Sequence, residues 1–401
     1  MKVLGMISGT SHDGIDVAVC DFRVDGETLV GRVEHAGSTA YSPQLRAALV
    51  AALPPSPTSA DALTRLDTLI GREFAAAAVA ALHEHQALGL GPVDAVCSHG
   101  QTVFHWVEGG TAEGTLQLGQ PGWIAEAVGL PIVSDVRTAD VVAGGQGAPL
   151  VPVLDTLVLE PLVAQGRTVA ALNLGGISNV TVCAPGADPV AWDIGTANAL
   201  IDAVVAADPS TPLAYDRDGS IARSGTVVPG LLEVLLDEPY YRAPAPKSTG
   251  KELFHAAYVD DAVARHGSAV ALPDLVATLV ELAARTVADA LADHEVDEVF
   301  LSGGGVRNPA LVDALAAAAP GVRFSTIADL GLDPDAKEAV AFALIGWATM
   351  HGIAGNVPTC TGASGPRVLG RVTPAPAGGG ALPVSGGVTP RRLVLEDVVR
   401  P

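Results

Sequence analysis

The stretch Val3–Asp16, VLGMISGTSHDGID, decides how the chain is read. Its apolar run Val3–Ile7 enters a Gly-Thr-Ser-His-Asp-Gly turn, and Ile15–Phe22 leaves it with the alternation of a second strand. The spacing predicts a β-hairpin with no helix behind it. A Walker loop or a dinucleotide-binding turn passes from its glycines directly into a helix. No GK[ST] and no GxGxxG follows this strand, so both are excluded. Two further glycine-rich turns follow apolar runs, in Val169–Thr181 (VAALNLGGISNVT) and Glu298–Pro309 (EVFLSGGGVRNP). Three such turns suit a nucleotide phosphate chain held by backbone N–H groups, because a side chain would hold the backbone away and N–H nests need φ > 0. For the first turn the alternative is a plain hairpin in which Asp13-Gly14 only reverses the chain.

Outward from the first hairpin, Leu45–Leu53 and Ala60–Leu88 carry apolar residues at helical spacing. A short strand, Val93–Cys97, delivers Ser98-His99-Gly100-Gln101-Thr102 to its C-terminal end. Strand Leu116–Leu118, helix Gly122–Val128 and strand Ile132–Ser134 lead to Asp135 and Arg137, then to the glycine-rich loop Gly144–Pro149. The second half repeats the plan: strand Val169–Leu174, turn Gly175–Asn179, strand Val180–Cys183, strand Val190–Asp193 and helix Ala197–Ala206. Helices Leu272–Ala292 and Asp335–His351 flank the GGG turn. The repeat predicts an α/β fold of two similar lobes with a central ATP and substrate cleft. The expected boundaries are residues 1–135 plus about 352–373 for the N-terminal lobe and 136–351 for the C-terminal lobe. Residues 374–401 form a Pro/Gly-rich tail whose last part, Arg391–Val399, is able to pack back as one strand.

The 401 residues are 49% apolar and carry 44 acidic against 23 basic side chains, a formal charge of −21. A field of that sign disfavours nucleic acid and anionic membrane as partners. ATP is also an anion, so a site for it must rely on local amides, helix N-termini and Mg²⁺. The four cysteines are far apart, form no CxxC, and read as thiols without a metal or disulfide role. No signal peptide and no apolar stretch of roughly 18 residues is present, so the expected location is cytoplasmic.

The motifs of the chain resemble, in order and over residues 3–372, those of the anhydro-N-acetylmuramic acid kinases of the actin, sugar kinase and Hsp70 ATPase superfamily, whose lobes are ribonuclease H-like. The matching segments include GTSHDGID (Gly9–Asp16), SHGQT (Ser98–Thr102), SDVRTADVVAGGQGAPLVP (Ser134–Pro152), NLGGISN (Asn173–Asn179), DIGTAN (Asp193–Asn198), PKSTGKELF (Pro246–Phe254) and SGGGVRNP (Ser302–Pro309). The resemblance implies ATP-dependent, hydrolytic opening of an anhydro sugar with phosphorylation of its O6. The same chemistry on another sugar, such as levoglucosan, and a non-catalytic nucleotide-binding module are the alternatives.

The resemblance also implies residue roles. Asp193 is the catalytic base, at the end of a strand, since a carboxylate must take the proton of the attacking water. The family's DTGPGN pattern here keeps Asp193, Gly195 and Asn198 but carries Ile194, Thr196 and Ala197 in place of Thr, Pro and Gly. The alternative for Asp193 is a cap of the following helix. Gly9, Thr10, Ser11, His12, Asp13, Gly14, Ile15 and Asp16 wrap the β- and γ-phosphates, and Asp13 or Asp16 holds Mg²⁺. Gly175 and Gly176, with Ser178, make the opposing clamp, and Gly303, Gly304, Gly305 and Asn308 lie under the adenosine. His99, Arg137 and Glu338 bind substrate. Arg137 contacts a lactyl carboxylate or a phosphate, with a structural ion pair to Asp135 or Asp140 as the alternative. A homodimer is likewise implied by the resemblance alone.

Overall fold

The computed structural model describes residues 1–9, 12–245, 247–250, 253–376 and 388–396. Its strands are β1 (Lys2–Ser8), β2 (Gly14–Asp25), β3 (Thr28–Ala40), β4 (Ala95–Glu108), β5 (Thr111–Leu118) and β6 (Ile132–Ser134). There follow β7 (Val169–Leu174), β8 (Ile177–Cys183), β9 (Val190–Thr196), β10 (Glu298–Ser302), β11 (Arg323–Thr326), β12 (Arg371–Thr373) and β13 (Arg392–Glu396). The chain divides into two compact units, Met1–Glu160 with Leu330–Pro401, and Pro161–Asp329.

The first unit holds an eight-stranded sheet in the order β12-β6-β4-β1-β2-β3-β13, with β5 paired to β4. β1, β2 and β3 form an antiparallel meander, β4 joins β1 in parallel, and β6 joins β4 in parallel. The second unit has the order β11-β10-β7-β8-β9, again an antiparallel meander with two parallel strands on its first-strand side. The run β6-β4-β1-β2-β3 and the run β11-β10-β7-β8-β9 are therefore the same topology, the duplication expected from the two hairpins.

Each sheet is buried for a reason visible in its residues. In the first unit Leu4, Met6 and Val19 pack against Leu66, Ile70 and Phe74 of helix Ala60–Ala87 and Ile124 of helix Pro121–Val128. The other face is covered by helix Lys337–Met350, in which every residue but Glu338 is buried. An all-round apolar helix needs walls on all sides. Gly5 supplies one, since a Cβ there would lie 2.0 Å from the Ala339 carbonyl oxygen, and Gly346 another, where a Cβ would meet Cys97 Cβ at 2.5 Å. This packing corrects the expected boundaries. Residues 330–351 and 136–160 belong to the first unit, because the helix that was placed in the C-terminal lobe is built onto β1 and β4. In the second unit Leu172, Val180 and Ile194 form one core with Leu200, Leu279 and Leu311.

Other differences are local. The first hairpin is a three-stranded meander, its second turn made by Gly26-Glu27 between the paired Asp25 and Thr28, with Gly26 at φ 60°, the glycine-first form of a two-residue hairpin loop. Likewise β4 does not stop at Cys97 but runs to Glu108 and returns as β5 through Gly109-Gly110. In the tail, residues 377–387 and 397–401 lie outside the described residues, while β13 pairs in parallel with β3 and buries Leu393 to 2% exposure. The four cysteines are buried and none is in a disulfide. Among the described residues no helix is long and apolar enough to cross a membrane.

Candidate functional site

In the first unit the β1–β2 turn is tied down through its carbonyls. Gln101 Nε2 donates to Gly9 O at 3.2 Å, Arg46 Nε to His12 O at 3.0 Å, the Tyr41 amide to Asp13 O at 3.0 Å, and the Ser8 hydroxyl to Gly14 O at 2.7 Å. With carbonyls drawn toward the protein, the electropositive side of the peptides is left for an anion, as an N–H nest requires. The glycines serve this differently from the expectation. Among the described residues of the turn, the left-handed one is His12, at φ 53°. Gly14 is instead required by close approach, since a Cβ would stand 2.6 Å from the Thr39 carbonyl of β3. Thr10 and Ser11 lie outside the described residues.

Around this turn negative charge accumulates. Asp13 is exposed and Asp16 half-buried. Burial raises the Asp16 pKa, and the charges of Asp13 and Asp335 raise it further against a bond from Ser38. Glu338, at the start of the buried helix, is raised by burial and then by Asp16, with Lys337 and Arg137 pulling the other way. Among the described residues no three His, Cys, Asp or Glu side chains converge tightly enough to hold a metal by themselves. An all-oxygen group of mutually repelling carboxylates fits a hard divalent cation that keeps several waters.

Arg137 follows β6. It makes neither of the expected ion pairs. Asp135 pairs with Arg371 at 2.9 Å, and Asp140, fully buried, accepts from Asn356 Nδ2 (2.7 Å), Thr361 Oγ1 (2.7 Å) and the Gly147 amide (2.8 Å). Arg137 Nε donates instead to His99 Nε2 at 2.9 Å. That bond assigns the His99 proton to Nδ1, which donates to Gly100 O at 2.9 Å. His99 is 3% exposed. Burial and then the Arg137 charge hold its pKa down at about 3, so it stays neutral. Burial likewise lowers Arg137 to about 10, against the pull of Glu338. His99 thus positions the guanidinium.

In the second unit Asp193 lies inside β9, not at its end. The strand continues to Thr196, and helix Asn198–Ala207 starts with Ala197 as an N-cap that makes no side-chain bond. The capping alternative therefore fails. Register shifts opposite this point, with Asn179 facing Asp193 and Ser178 facing Gly195, so Ile194 is the extra residue of a β-bulge. Two donors converge on Asp193 Oδ2, the Ser248 hydroxyl at 2.7 Å and the Thr249 amide at 3.0 Å. The Asp193 backbone is held as well, its amide on Lys247 O (3.1 Å) and its carbonyl under Tyr240 OH (2.7 Å). Gly195 admits the Tyr241 ring, to which a Cβ would come within 2.6 Å. The departures from the DTGPGN pattern, Ile194, Thr196 and Ala197, are all buried at 1–2% exposure.

The Gly175-Gly176 turn repeats the logic of the first. Its carbonyls accept the amides of Ala197, Asn198 and Ala199, and Asn198 Nδ2 donates to Leu174 O (3.1 Å) and Gly175 O (2.8 Å). Ser178 is fully buried and donates to Gly195 O at 3.1 Å, so its hydroxyl faces the strand rather than a ligand. In the GGG turn, Gly303 has φ 81° and no room for a Cβ against Asn173 Oδ1 (2.4 Å), whereas Gly304 is exposed with nothing within 4 Å. Asn308 caps the next helix through the amides of Ala310 and Leu311. The residues that sequence reading missed are those that hold others in place: Ser248 and Thr249 on Asp193, Gln101 under Gly9, and Asp140 under Gly147.

Comparison with known proteins adds independent findings. Residues 1–375 match the family model described as anhydro-N-acetylmuramic acid kinase. A protein of that name from Streptomyces coelicolor is 51% identical over 375 residues, covering 93% of this chain and 94% of the relative. Another from Rhodococcus erythropolis is 48% identical, covering 94% and 95%. Among solved structures, the activator of 2-hydroxyisocaproyl-CoA dehydratase from Clostridium difficile with bound ADPNP is similar at TM-score 0.40 and 12% identity, covering 86% of this chain and 93% of that one. A ROK family glucokinase from Streptomyces griseus in complex with glucose and AMPPNP reaches TM-score 0.36 at 14% identity, covering 86% and 99%.

Proposed function

The chain belongs to the anhydro-N-acetylmuramic acid kinase family, and from that premise we propose that it converts 1,6-anhydro-N-acetylmuramic acid, ATP and water to N-acetylmuramic acid 6-phosphate and ADP, a step of cell-wall recycling. Water attacks the anomeric carbon and the C1–O6 bond breaks. O6 takes the γ-phosphoryl group as its bond to the ADP oxygen breaks, and the water's proton passes to Asp193.

The observation that carries this reading is Asp193. In a chain of this family, it is the carboxylate whose Oδ2 is fixed by Ser248 and Thr249 at 2.7 and 3.0 Å. Donors fixed on the carboxylate hold it in one orientation for a proton transfer, which is the geometric requirement of a general base. The turn at Gly9–Asp16, where the carbonyls of Gly9, His12, Asp13 and Gly14 are drawn back, and the turn at Gly175-Gly176 are assigned to the phosphates of ATP, and the open Gly304 to the adenosine beside Gly303. Asp16 and Asp13 would hold Mg²⁺, which supplies charge neutralisation at the phosphates. Arg137, positioned by neutral His99, binds the lactyl carboxylate, and Glu338 a polar group of the sugar.

The test is turnover of purified protein with ATP and Mg²⁺ on 1,6-anhydro-N-acetylmuramic acid beside levoglucosan, reading ADP and sugar phosphate. Product from the muramic sugar alone is expected. No product from either sugar while ATP still binds would overturn the proposal.

A further inference from the structure

In the β1–β2 turn the backbone passes through His12 at φ 53°. Left-handed backbone is unfavourable for any residue with a Cβ, so a histidine stays there only while its surroundings hold it. Relaxation of His12 rotates its carbonyl. The Asp13 amide turns with it, since a trans peptide sets the two on opposite sides of one plane. The turn therefore keeps the Asp13 N–H aimed toward an anion only while the His12 carbonyl is held back.

What holds that carbonyl is Arg46, whose Nε donates to His12 O at 3.0 Å. Arg46 lies on helix Pro43–Ala52, which is a firm support. Leu45 and Leu49 anchor the helix in the core, and Ser42 ahead of it donates to Glu73 Oε1 at 2.8 Å. The residue before Ser42 is Tyr41, whose amide is on Asp13 O at 3.0 Å, so the helix start and the turn are fixed to each other. The ties on Gly9 and Gly14 come from the buried side chains of Gln101 and Ser8, whereas Arg46 is exposed. Carboxylates abound in this chain, with 44 acidic against 23 basic side chains. Among the described residues the Arg46 guanidinium nevertheless makes no ion pair, and its one hydrogen bond goes to the strained residue of the turn.

We propose that Arg46 is a positioning residue for the nucleotide, its bond to the His12 carbonyl keeping the turn in the left-handed form that takes the ATP phosphates. The inference rests on the assignment of this turn to ATP and deepens it. Arg46 acts through the backbone and not by touching a phosphate, because it sits on the carbonyl side of the peptide and the anion belongs on the amide side.

The experiment measures affinity for AMPPNP with Mg²⁺ by calorimetry on the full chain. It compares the wild type, Arg46→Ala, Arg46→Lys, His12→Gly and the double variant of Arg46→Ala with His12→Gly. Arg46→Ala is expected to weaken binding about tenfold, the worth of one charge-assisted bond. Arg46→Lys, which still brings an N–H to a single carbonyl, is expected to keep most of the affinity. Glycine adopts the left-handed form without strain, so the double variant should bind within about threefold of His12→Gly alone. In steady state the KM for ATP should rise in Arg46→Ala while the KM for the sugar does not move. Unchanged AMPPNP affinity in Arg46→Ala overturns the inference and leaves a surface contact. A loss that His12→Gly does not relieve also overturns it, since a direct phosphate contact would be lost whatever residue stands at 12. If the wild type binds no AMPPNP, the assignment of the turn to ATP itself fails, and the two failures are told apart.

Discussion

Asp193→Asn removes the proposed proton acceptor while leaving the side chain's shape in place. Ser248 and Thr249 both donate to Oδ2, so an asparagine that turns its amide oxygen toward them keeps both bonds at their 2.7 and 3.0 Å lengths. Each bond passes from charge-assisted to neutral, a loss of roughly 1 kcal/mol apiece and a small decrease in thermal midpoint. The backbone bonds to Lys247 O and from Tyr240 OH are untouched by the change. What disappears is the base. General-base catalysis contributes about 10²- to 10⁴-fold, or roughly 3–5 kcal/mol of barrier. Steady-state ADP release at saturating sugar should therefore fall at least a hundredfold, while ATP affinity by calorimetry stays within about twofold. A variant that keeps kcat within tenfold of wild type would refute the role, and Glu338 would be the next carboxylate to test.

The other expectations follow from individual contacts. Burial and Asp16 hold Glu338 above its ordinary pKa, so its charge costs stability at neutral pH and that cost vanishes once the carboxyl is protonated in both states. Glu338→Gln should raise the denaturant midpoint at pH 7, with the gain shrinking as the pH falls toward about 4.3 and absent below it; a gain independent of pH would contradict this. His99, held down at about 3, costs stability as the pH falls from about 6.5 toward 3, because the unfolded chain binds the proton first. In His99→Gln that part of the acid slope should be missing from denaturation curves. Gly195→Ala places a Cβ 2.6 Å from the Tyr241 ring. Displacing Tyr241 disturbs the segment bearing Lys247, so a stability loss of about 1–3 kcal/mol should come with a lower kcat. Gly5→Ala drives a Cβ to 2.0 Å from the Ala339 carbonyl and 2.4 Å from the Ala343 amide, backbone that cannot swing aside. Its cost should reach about 3 kcal/mol, read by thermal melting.

Features written in a single short window were legible in the sequence. The apolar runs at Val3–Ile7 and Val169–Leu174 each break at glycine, and the structure builds β1 and β7 there with the same topology around both. Helix Lys337–Met350 was legible as a helix, but an apolar surface on every side says that it is buried and not against which sheet. Only the close approach at Gly5 and Gly346 decides that. Asp193 interrupts an apolar run, which reads as a strand end. The strand goes on because Ile194 returns to the core on the far side of a bulge, and bulges leave no mark in local periodicity. The partners of the site residues were the least legible part. Ser248 meets Asp193 across 55 positions and Arg137 meets His99 across 38, distances over which spacing carries no information. The glycines were expected to be needed for left-handed backbone; Gly303 is, but Gly14 and Gly305 are glycines because neighbouring strand and turn atoms stand where a Cβ would be.

In the proposed reaction water opens the sugar while O6 receives the phosphoryl group. Running the reaction with 1,6-anhydro-N-acetylmuramic acid, ATP and Mg²⁺ in H₂¹⁸O, and analysing product by mass spectrometry with fragmentation, tests it most directly. One ¹⁸O on the anomeric carbon and none in the phosphate of N-acetylmuramic acid 6-phosphate is the predicted result. Label in the phosphate, or a phosphorylated product with no label at C1, would contradict it.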